Sequence, residues 1–393
     1  MAAPRPSLTL CTWTCNDAAL LHGLLACVAA WTVRPDAVAI LDDGSDTPFA
    51  LPPDLDLPPV TLLRHPTNQG VARAKHACIS AATTDMVLAV DCDVRLSPDW
   101  LASVLPLLDN PAVGQASSPL RQRGDDLPAR YAARFLMPSA APPMPDHMPG
   151  PVYCIRRADW ERAGGMAGHG HPTGEDVLLS RRLARLGLRP AWHTGVRADL
   201  VRRLSRRALV RRTWAWFKPC AATRRGGKKG VIAMHCDACA PRLHDHAREL
   251  LQGVVRRAEQ ASRMGEPAFA YIELLYAAHA LADRLACNAA TRGDIPATEG
   301  ARLRAALDAA LAPWPRTLAL LHADLAAMGL PLPAPATGTT TDPWPEVLRE
   351  PLATLAPMLT HVEAHEAEAM ARDMDEYDAS FYNALPRTPP DAA

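Results

Sequence analysis

The chain reads as an α/β domain with a mostly parallel central sheet, followed by an all-helical region. Two observations carry this. From residue 7 to about 195, short β-type apolar runs alternate with helical patterns. After about residue 200 the β signal stops, and long Ala/Leu/Arg-rich segments with three- and four-residue apolar spacing take over. With 393 residues, two to three domains are expected at about 150 residues each.

The β-type runs are Leu8–Trp13, Ala37–Leu41, Val60–Leu63, Met86–Val90 and Val152–Ile155; Ala18–Trp31 and Gly70–Ala82 lie between them with helical spacing. Pro-rich stretches at 48–66 and 138–151 read as surface loops. Downstream, helices are expected over His246–Met264, Ala268–Ala290, Ala297–Leu311, Pro315–Met328 and Pro345–Ala384, with a Pro/Thr linker near 331–341 and an acidic tail. Composition bounds the function. The chain is 48% hydrophobic and 21% charged, enough for a buried core. Lys+Arg and Asp+Glu both number 42, so no global field draws in nucleic acid. No run reaches the roughly 20 apolar residues of a spanning helix, and residues 1–6 lack a signal peptide's apolar core. Cys11, Cys27, Cys78 and Cys92 fall at apparent core positions, which suits reduced thiols and a cytoplasmic chain.

Three acidic clusters carry chemistry. Met86–Val90 runs into Asp91-Cys92-Asp93, and period-2 alternation places both carboxylates on one side at the carboxyl edge of the sheet. Hard oxygen donors there suit Mg²⁺ or Mn²⁺ bound together with substrate phosphates. Asp42-Asp43-Gly44-Ser45 also closes a strand; it reads either as a turn or as a recognition point for a base or ribose. Thr173-Gly174-Glu175-Asp176 opens a helical run, with Thr173 as N-cap and Asp176 as its third residue; the same carboxylate could take a proton from an attacking alcohol.

In order and spacing these clusters resemble the family 2 glycosyltransferases of the GT-A fold. The resemblance rests on Asp42-Asp43-Gly44-Ser45, on Asn68-Gln-Gly-Val-Ala-Arg-Ala-Lys75-His76, and on Asp91-Cys-Asp93. It continues through Gly150 to Arg156-Arg157 before Gly164-Gly165, and through Gly174-Glu175-Asp176 leading to Gly187. It spans about residues 7–217. It implies a GT-A-like αβα sandwich over 1–230 and a helical accessory domain over 231–393. The implied activity is inverting, metal-assisted transfer of a hexosyl or N-acetylhexosaminyl group from a nucleotide-diphosphate sugar to an acceptor hydroxyl. The acceptor could be carbohydrate, lipid-linked or protein. By the resemblance, Asp42 or Asp43 contacts the base and Lys75 stands near the diphosphate. Asp91 approaches ribose and metal, Asp93 ligates the metal, and Asp176 is the general base with Glu175 beside it. The chain departs from the pattern at the end of the first strand, where only Asn16 is kept, and at His76. It departs again at the third metal ligand, where counting from Gly187 reaches Leu200, with His193 and Asp199 nearby.

Residues 181–230 carry sixteen Lys/Arg against Asp199 alone. A basic helix over Asp199–Phe217 is expected there. It leaves three readings open: a packed helix with a solvated Arg face, a phosphate or anionic-acceptor holder, or a peripheral membrane contact. Cys236 and Cys239, with His235, His244 and His246, could form a structural Zn²⁺ site, although the spacing fits no standard finger. Two rivals to the enzyme reading stand beside it. One is a nucleotidyltransferase, which would need a Gly-rich basic loop that Thr12–Asp17 lacks. The other is a non-catalytic binding module acting through the helical domain.

Overall fold

A computed structural model describes residues 5–136, 147–169, 174–217, 243–292, 297–334 and 343–372. Contacts divide the chain into two compact units that part between Arg203 and Leu204.

The first unit is built on a seven-stranded sheet in the order β3-β2-β1-β4-β8-β6-β9. These strands are β1 (Leu8–Thr14), β2 (Ala37–Asp43), β3 (Val60–His65), β4 (Met86–Asp91), β6 (Val113–Ser117), β8 (Val152–Arg156) and β9 (Arg189–Trp192). Pairing is parallel for β1–β2, β1–β4, β2–β3 and β6–β9, and antiparallel only where β8 meets β4 and β6. All five expected strands form, each one or two residues longer at its carboxyl end. The central strands alternate between two buried faces. Leu8, Leu10, Val38, Ile40, Leu88 and Val90 pack with Leu21, Leu24, Leu25 and Val28 of helix α1 (Ala18–Val28). Cys11, Trp13, Ala39, Leu41, Val87 and Ala89 pack with Cys78 and Ile79 of α2 (Val71–Ser80), and with Leu179 and Leu183 of a later helix. Burial on both faces explains why these strands read as near-continuous apolar runs. Short helices α3 (Trp100–Val104), α4 (Leu127–Tyr131) and α5 (Arg157–Ala163), then α6 (Glu175–Arg185), complete the sandwich. The α/β class with a mostly parallel central sheet, expected from the sequence, stands.

A second sheet, β5-β10-β7, joins Val94–Leu96 (β5), Ala198–Leu200 (β10) and Leu120–Gln122 (β7). This corrects the basic helix expected from Asp199. The chain is a strand through Leu200, and helix α7 runs Arg206–Phe217, in the second unit. The start signal was present: the Ser205 hydroxyl accepts from the Ala208 N–H at 2.9 Å, an N-cap that ends the non-helical stretch.

The second unit is helical, with α7 followed by α8 (Leu243–Arg263), α9 (Phe269–Arg292), α10 (Ala297–Leu311), α11 (Pro315–Ala327), α12 (Trp344–His365) and α13 (Ala367–Arg372). The expected run from Pro345 breaks at Glu366 into two helices, and its part beyond residue 372 lies outside the described residues. Arg206 donates from Nε and Nη2 to both oxygens of Asp324 at 2.7 and 2.8 Å, and the Tyr271 hydroxyl donates to the same carboxylate at 2.7 Å. Among the described residues, no helix is long and apolar enough to cross a membrane.

Candidate active site

Register places the site. Thr14 of β1 pairs with Asp42 of β2, and Trp13 pairs with Asp91 of β4. The two acidic strand ends therefore flank β1 at the carboxyl edge of the sheet, the edge where open α/β sheets take ligands.

Lys75 ties the motifs together. It reaches from α2 into the interior, where it is 1% exposed. Its Nζ donates to Glu175 Oε1 at 2.9 Å and to the Gly150 carbonyl at 3.1 Å, lies 3.4 Å from Asp91 Oδ1, and sits 5.2 Å over the Trp13 ring. Burial alone would lower the pKa of this ammonium, but Asp91 and Glu175 raise it, so it is a fixed cation. Gly150 is needed for this approach: a Cβ there would stand 2.8 Å from Lys75 Nζ and 3.1 Å from Glu175 Oε1. Lys75, expected beside the diphosphate, is thus placed as the link between the Asp91, Gly150 and Glu175 segments.

Asp91 and Asp93 are placed with different cations, Asp91 beside Lys75 and Asp93 on Arg202. β4 ends at Asp91, the chain turns, and Asp93 Oδ2 accepts from Arg202 Nε at 2.8 Å. Arg202 also grips Asp17 through Nη1 and Nη2 at 3.0 and 2.8 Å. Asp91 is left with the long ion pair to Lys75 and no hydrogen bond on its buried Oδ1. Burial, with Asp93 and Glu175 beside it, pushes its carboxyl up to about 7 against the pull of Lys75. A carboxylate buried in excess negative charge is one that a further cation would hold ionised. Among the described residues no three His, Cys, Asp or Glu side chains converge as a metal cage. The buried Asp91 Oδ1, without a hydrogen-bond partner, is a hard oxygen donor of the kind that fits a divalent ion taking most of its ligands from substrate phosphates. Asp199 is held by Arg121 at 2.7 Å and Arg123 at 3.6 Å, and it is Arg202 that reaches Asp93 from this segment.

Asp42 and Asp43 are buried and committed to their loops. Asp42 accepts from the Ser45 and Phe49 N–H groups, both at 2.9 Å, and pairs with Arg64. Burial raises its pKa, but these bonds and Arg64 outweigh it, so the carboxyl is held below the usual range. Asp43 accepts from the Gln69 and Gly70 N–H groups at 3.0 and 2.9 Å and lies 2.6 Å from His65 Nδ1. Asn16 joins the same loop from the end of β1. It adopts a left-handed φ of 58°, accepts from the Asp46 N–H at 2.9 Å, and donates its own N–H to Ser45 Oγ at 2.9 Å.

Helix α6 starts at Glu175 with Gly174 as its N-cap residue, at a φ of 86°. The expected cap, Thr173, lies outside the described residues, and Asp176 is the second helical residue, not the third. Asp176 Oδ1 accepts from the Val177 N–H at 2.7 Å; Oδ2 accepts from the Gly150 N–H at 3.1 Å and lies 3.1 Å from His147 Nε2. Partial burial of Asp176 raises its pKa, but His147 first, then Lys75 and the Val177 N–H, bring it below the ordinary value. His147 comes from the Pro-rich stretch expected to be a surface loop, yet its neighbour Met148 is fully buried. Arg202 and His147 were both missed in the sequence. The proposed Zn²⁺ ligands Cys236 and Cys239 lie outside the described residues.

Residues 9–156 match the family model described as glycosyl transferase family 2. The resemblance to family 2 glycosyltransferases stands. The pre-mycofactocin glycosyltransferase of two Mycobacterium tuberculosis strains is 28% identical over 207 residues, which are 48% of this chain and 43% of that protein. The chain thus spans less than half the length of the curated relatives it matches. A mannosyltransferase from Pyrobaculum calidifontis, solved with GDP-Man and Mn²⁺, aligns at 21% identity over 92% of this chain and 88% of its own, with a TM-score of 0.43. Glucosyl-3-phosphoglycerate synthase from Mycobacterium tuberculosis, solved with Mn²⁺, UDP and glucosyl-3-phosphoglycerate, aligns at 18% identity. It covers 51% of this chain and 71% of its own, with a TM-score of 0.34.

Proposed function

We propose that the chain is an inverting glycosyltransferase that moves a hexosyl or N-acetylhexosaminyl group from a nucleotide-diphosphate sugar to an acceptor hydroxyl. The observation that carries this reading is the convergence on Lys75 of three separate motif segments, Asp91, Gly150 and Glu175, within a domain whose residues 9–156 match family 2. A structural role alone does not call for three ionisable groups gathered at the ligand-bearing edge of a sheet.

In this reading the nucleoside lies over the loops that Asp42 and Asp43 tie down. Their carboxylates shape that wall through backbone N–H groups. Asp91 would hold the divalent ion, with Asp93 kept beside it by Arg202; when bound, the ion supplies Lewis-acid stabilisation of the departing diphosphate. Lys75 keeps Glu175 and Asp91 in place. Asp176, at the start of α6, is the carboxylate at which the acceptor's proton is handled. The acceptor hydroxyl attacks the anomeric carbon on the face opposite the leaving diphosphate, so the configuration inverts.

The test is thermal unfolding against UDP, GDP, dTDP and CMP, each with Mn²⁺ and with EDTA. A nucleotide at 100 times its Kd raises stability by about 2.7 kcal/mol. One nucleotide should shift the melt in Mn²⁺, and Asp91→Asn should remove the metal-dependent part. Asp176→Asn should keep the shift and lower transfer at least about 100-fold. A chain stabilised by none of the four, or a fully active Asp176→Asn variant, would sink this reading.

A further inference from the structure

We infer that Tyr153 is a positioning residue for the divalent ion: its hydroxyl donates to the Asp91 carboxylate when Asp91 carries that ion. This rests on the transfer reading above, with Asp91 as the residue that holds the metal. Three observations carry it.

The first is placement. β8 runs antiparallel to β4, with Tyr153 opposite Ala89 and Val152 opposite Val90. Side chains alternate along a strand, so Asp91, two residues beyond Ala89, points to the face that Ala89 and Tyr153 share. Tyr153 and Asp91 are then diagonal neighbours across an antiparallel pair. That separation is about 7–8 Å, a span within reach of an aromatic side chain. Lys75, Glu175 and Asp91 all act electrostatically on the phenol.

The second is an unmet donor on the same face as an unmet acceptor. Tyr153 is 0% exposed, and its hydroxyl has no hydrogen-bond partner. Asp91 Oδ1 is likewise buried and unbonded. Buried hydroxyls are nearly always paired, so an orphaned one calls for a reason. Packing alone does not supply it. A phenylalanine would fill the same space among Cys11, Trp13, Ala89 and Leu179 with no polar atom left over.

The third is capacity. Lys75 spends two of its three protons on Glu175 and the Gly150 carbonyl, at 2.9 and 3.1 Å, and stands 3.4 Å from Asp91. It gives Asp91 an opposite charge, but no short hydrogen bond. A carboxylate has about four lone-pair sites, enough for an ion and a phenol together. Carboxylates that ligate metals are themselves held by hydrogen bonds from outside, and loss of such a partner lowers metal affinity about 10- to 100-fold. Tyr153 is the group on this face with a proton to give.

Mn²⁺ binding to the full chain, read from the EPR signal of the free ion, tests this with UDP, GDP, dTDP and CMP each in excess. Tyr153→Phe should weaken Mn²⁺ binding about 10- to 100-fold. In EDTA the same variant should melt at or above the wild-type temperature, because it removes a buried hydroxyl that has no partner in the ion-free protein. The two readouts together separate positioning from packing. A lower melt in EDTA with Mn²⁺ affinity unchanged is what a merely structural tyrosine would give, and it overturns the inference. Loss of both overturns it too, since a disturbed fold then accounts for the weaker binding. If Tyr153→Phe binds Mn²⁺ like wild type while Asp91→Asn does not bind it, this inference fails and the metal reading of Asp91 stands. A wild-type chain that takes up no Mn²⁺ with any of the four nucleotides removes the metal reading beneath it as well.

Discussion

Each unit buries a cation among oxygen ligands, and the two do it differently. In the helical unit Arg206 meets the single carboxylate Asp324 through two parallel hydrogen bonds, and Tyr271 fills a further lone pair. Both oxygens of that carboxylate are met by the one guanidinium. In the α/β unit Lys75 and Arg202 sit among Asp17, Asp91, Asp93 and Glu175, so the carboxylates outnumber them, and Asp91 is pushed up to about 7. A matched buried pair is scaffolding that apolar residues could replace. A mismatched one leaves a debt of charge that a ligand can settle, and this makes it the better marker of a site.

The comparison breaks most visibly at the matched pair. Asp324→Ala strands the Arg206 charge and should cost about 3–5 kcal/mol in urea unfolding of the whole chain; a loss below about 1 kcal/mol would mean that the pair is not buried in solution. Gly150→Ala tests the packing of the mismatched cluster. The new methyl forces Lys75 and Glu175 apart, for about 1–3 kcal/mol of stability and a drop in transfer that the melt shift alone does not register. Asp91→Asn should have the smallest effect near pH 4, within about 1 kcal/mol because the wild-type carboxyl is already protonated there, and should gain on the wild type as pH rises. The sign follows from linkage. The folded carboxyl takes up its proton at a higher pH than the unfolded one, so its contribution falls as pH rises from about 4 to about 7. The Asn variant should lack that slope; an unchanged slope would place Asp91 in water.

Much of this was legible in the sequence. The strands at 8, 37, 60, 86 and 152 were visible because both faces are buried and β-type residues run unbroken between turn formers. Asp42, Asp91 and Asp176 were visible because each lies at or next to the end of an element. Arg202 was not, because Asp93 lies 109 positions away and the arginine sits in a run where charge density and apolar spacing suggest one helix. The Ser205 cap was the local signal that would have split that run. His147 was hidden among prolines, where composition suggests exposure while the backbone N–H groups of 148 and 150 are consumed by α6. Lys75 was found but its use was not: spacing identifies a basic residue, whereas its partners lie on three other segments.

The clamp that Arg202 places on Asp17 spans 185 positions of chain. During synthesis on the ribosome, every site residue named here emerges before Arg202 does. Until it arrives, Asp17 and Asp93 would have to be buried without their counter-charge, which favours leaving that edge of the sheet open and hydrated. Closure of the α/β unit is thereby tied to delivery of its last segment, β10 and the residues after it. A nascent chain halted before that point should present a protease-sensitive edge, and a completed one should not.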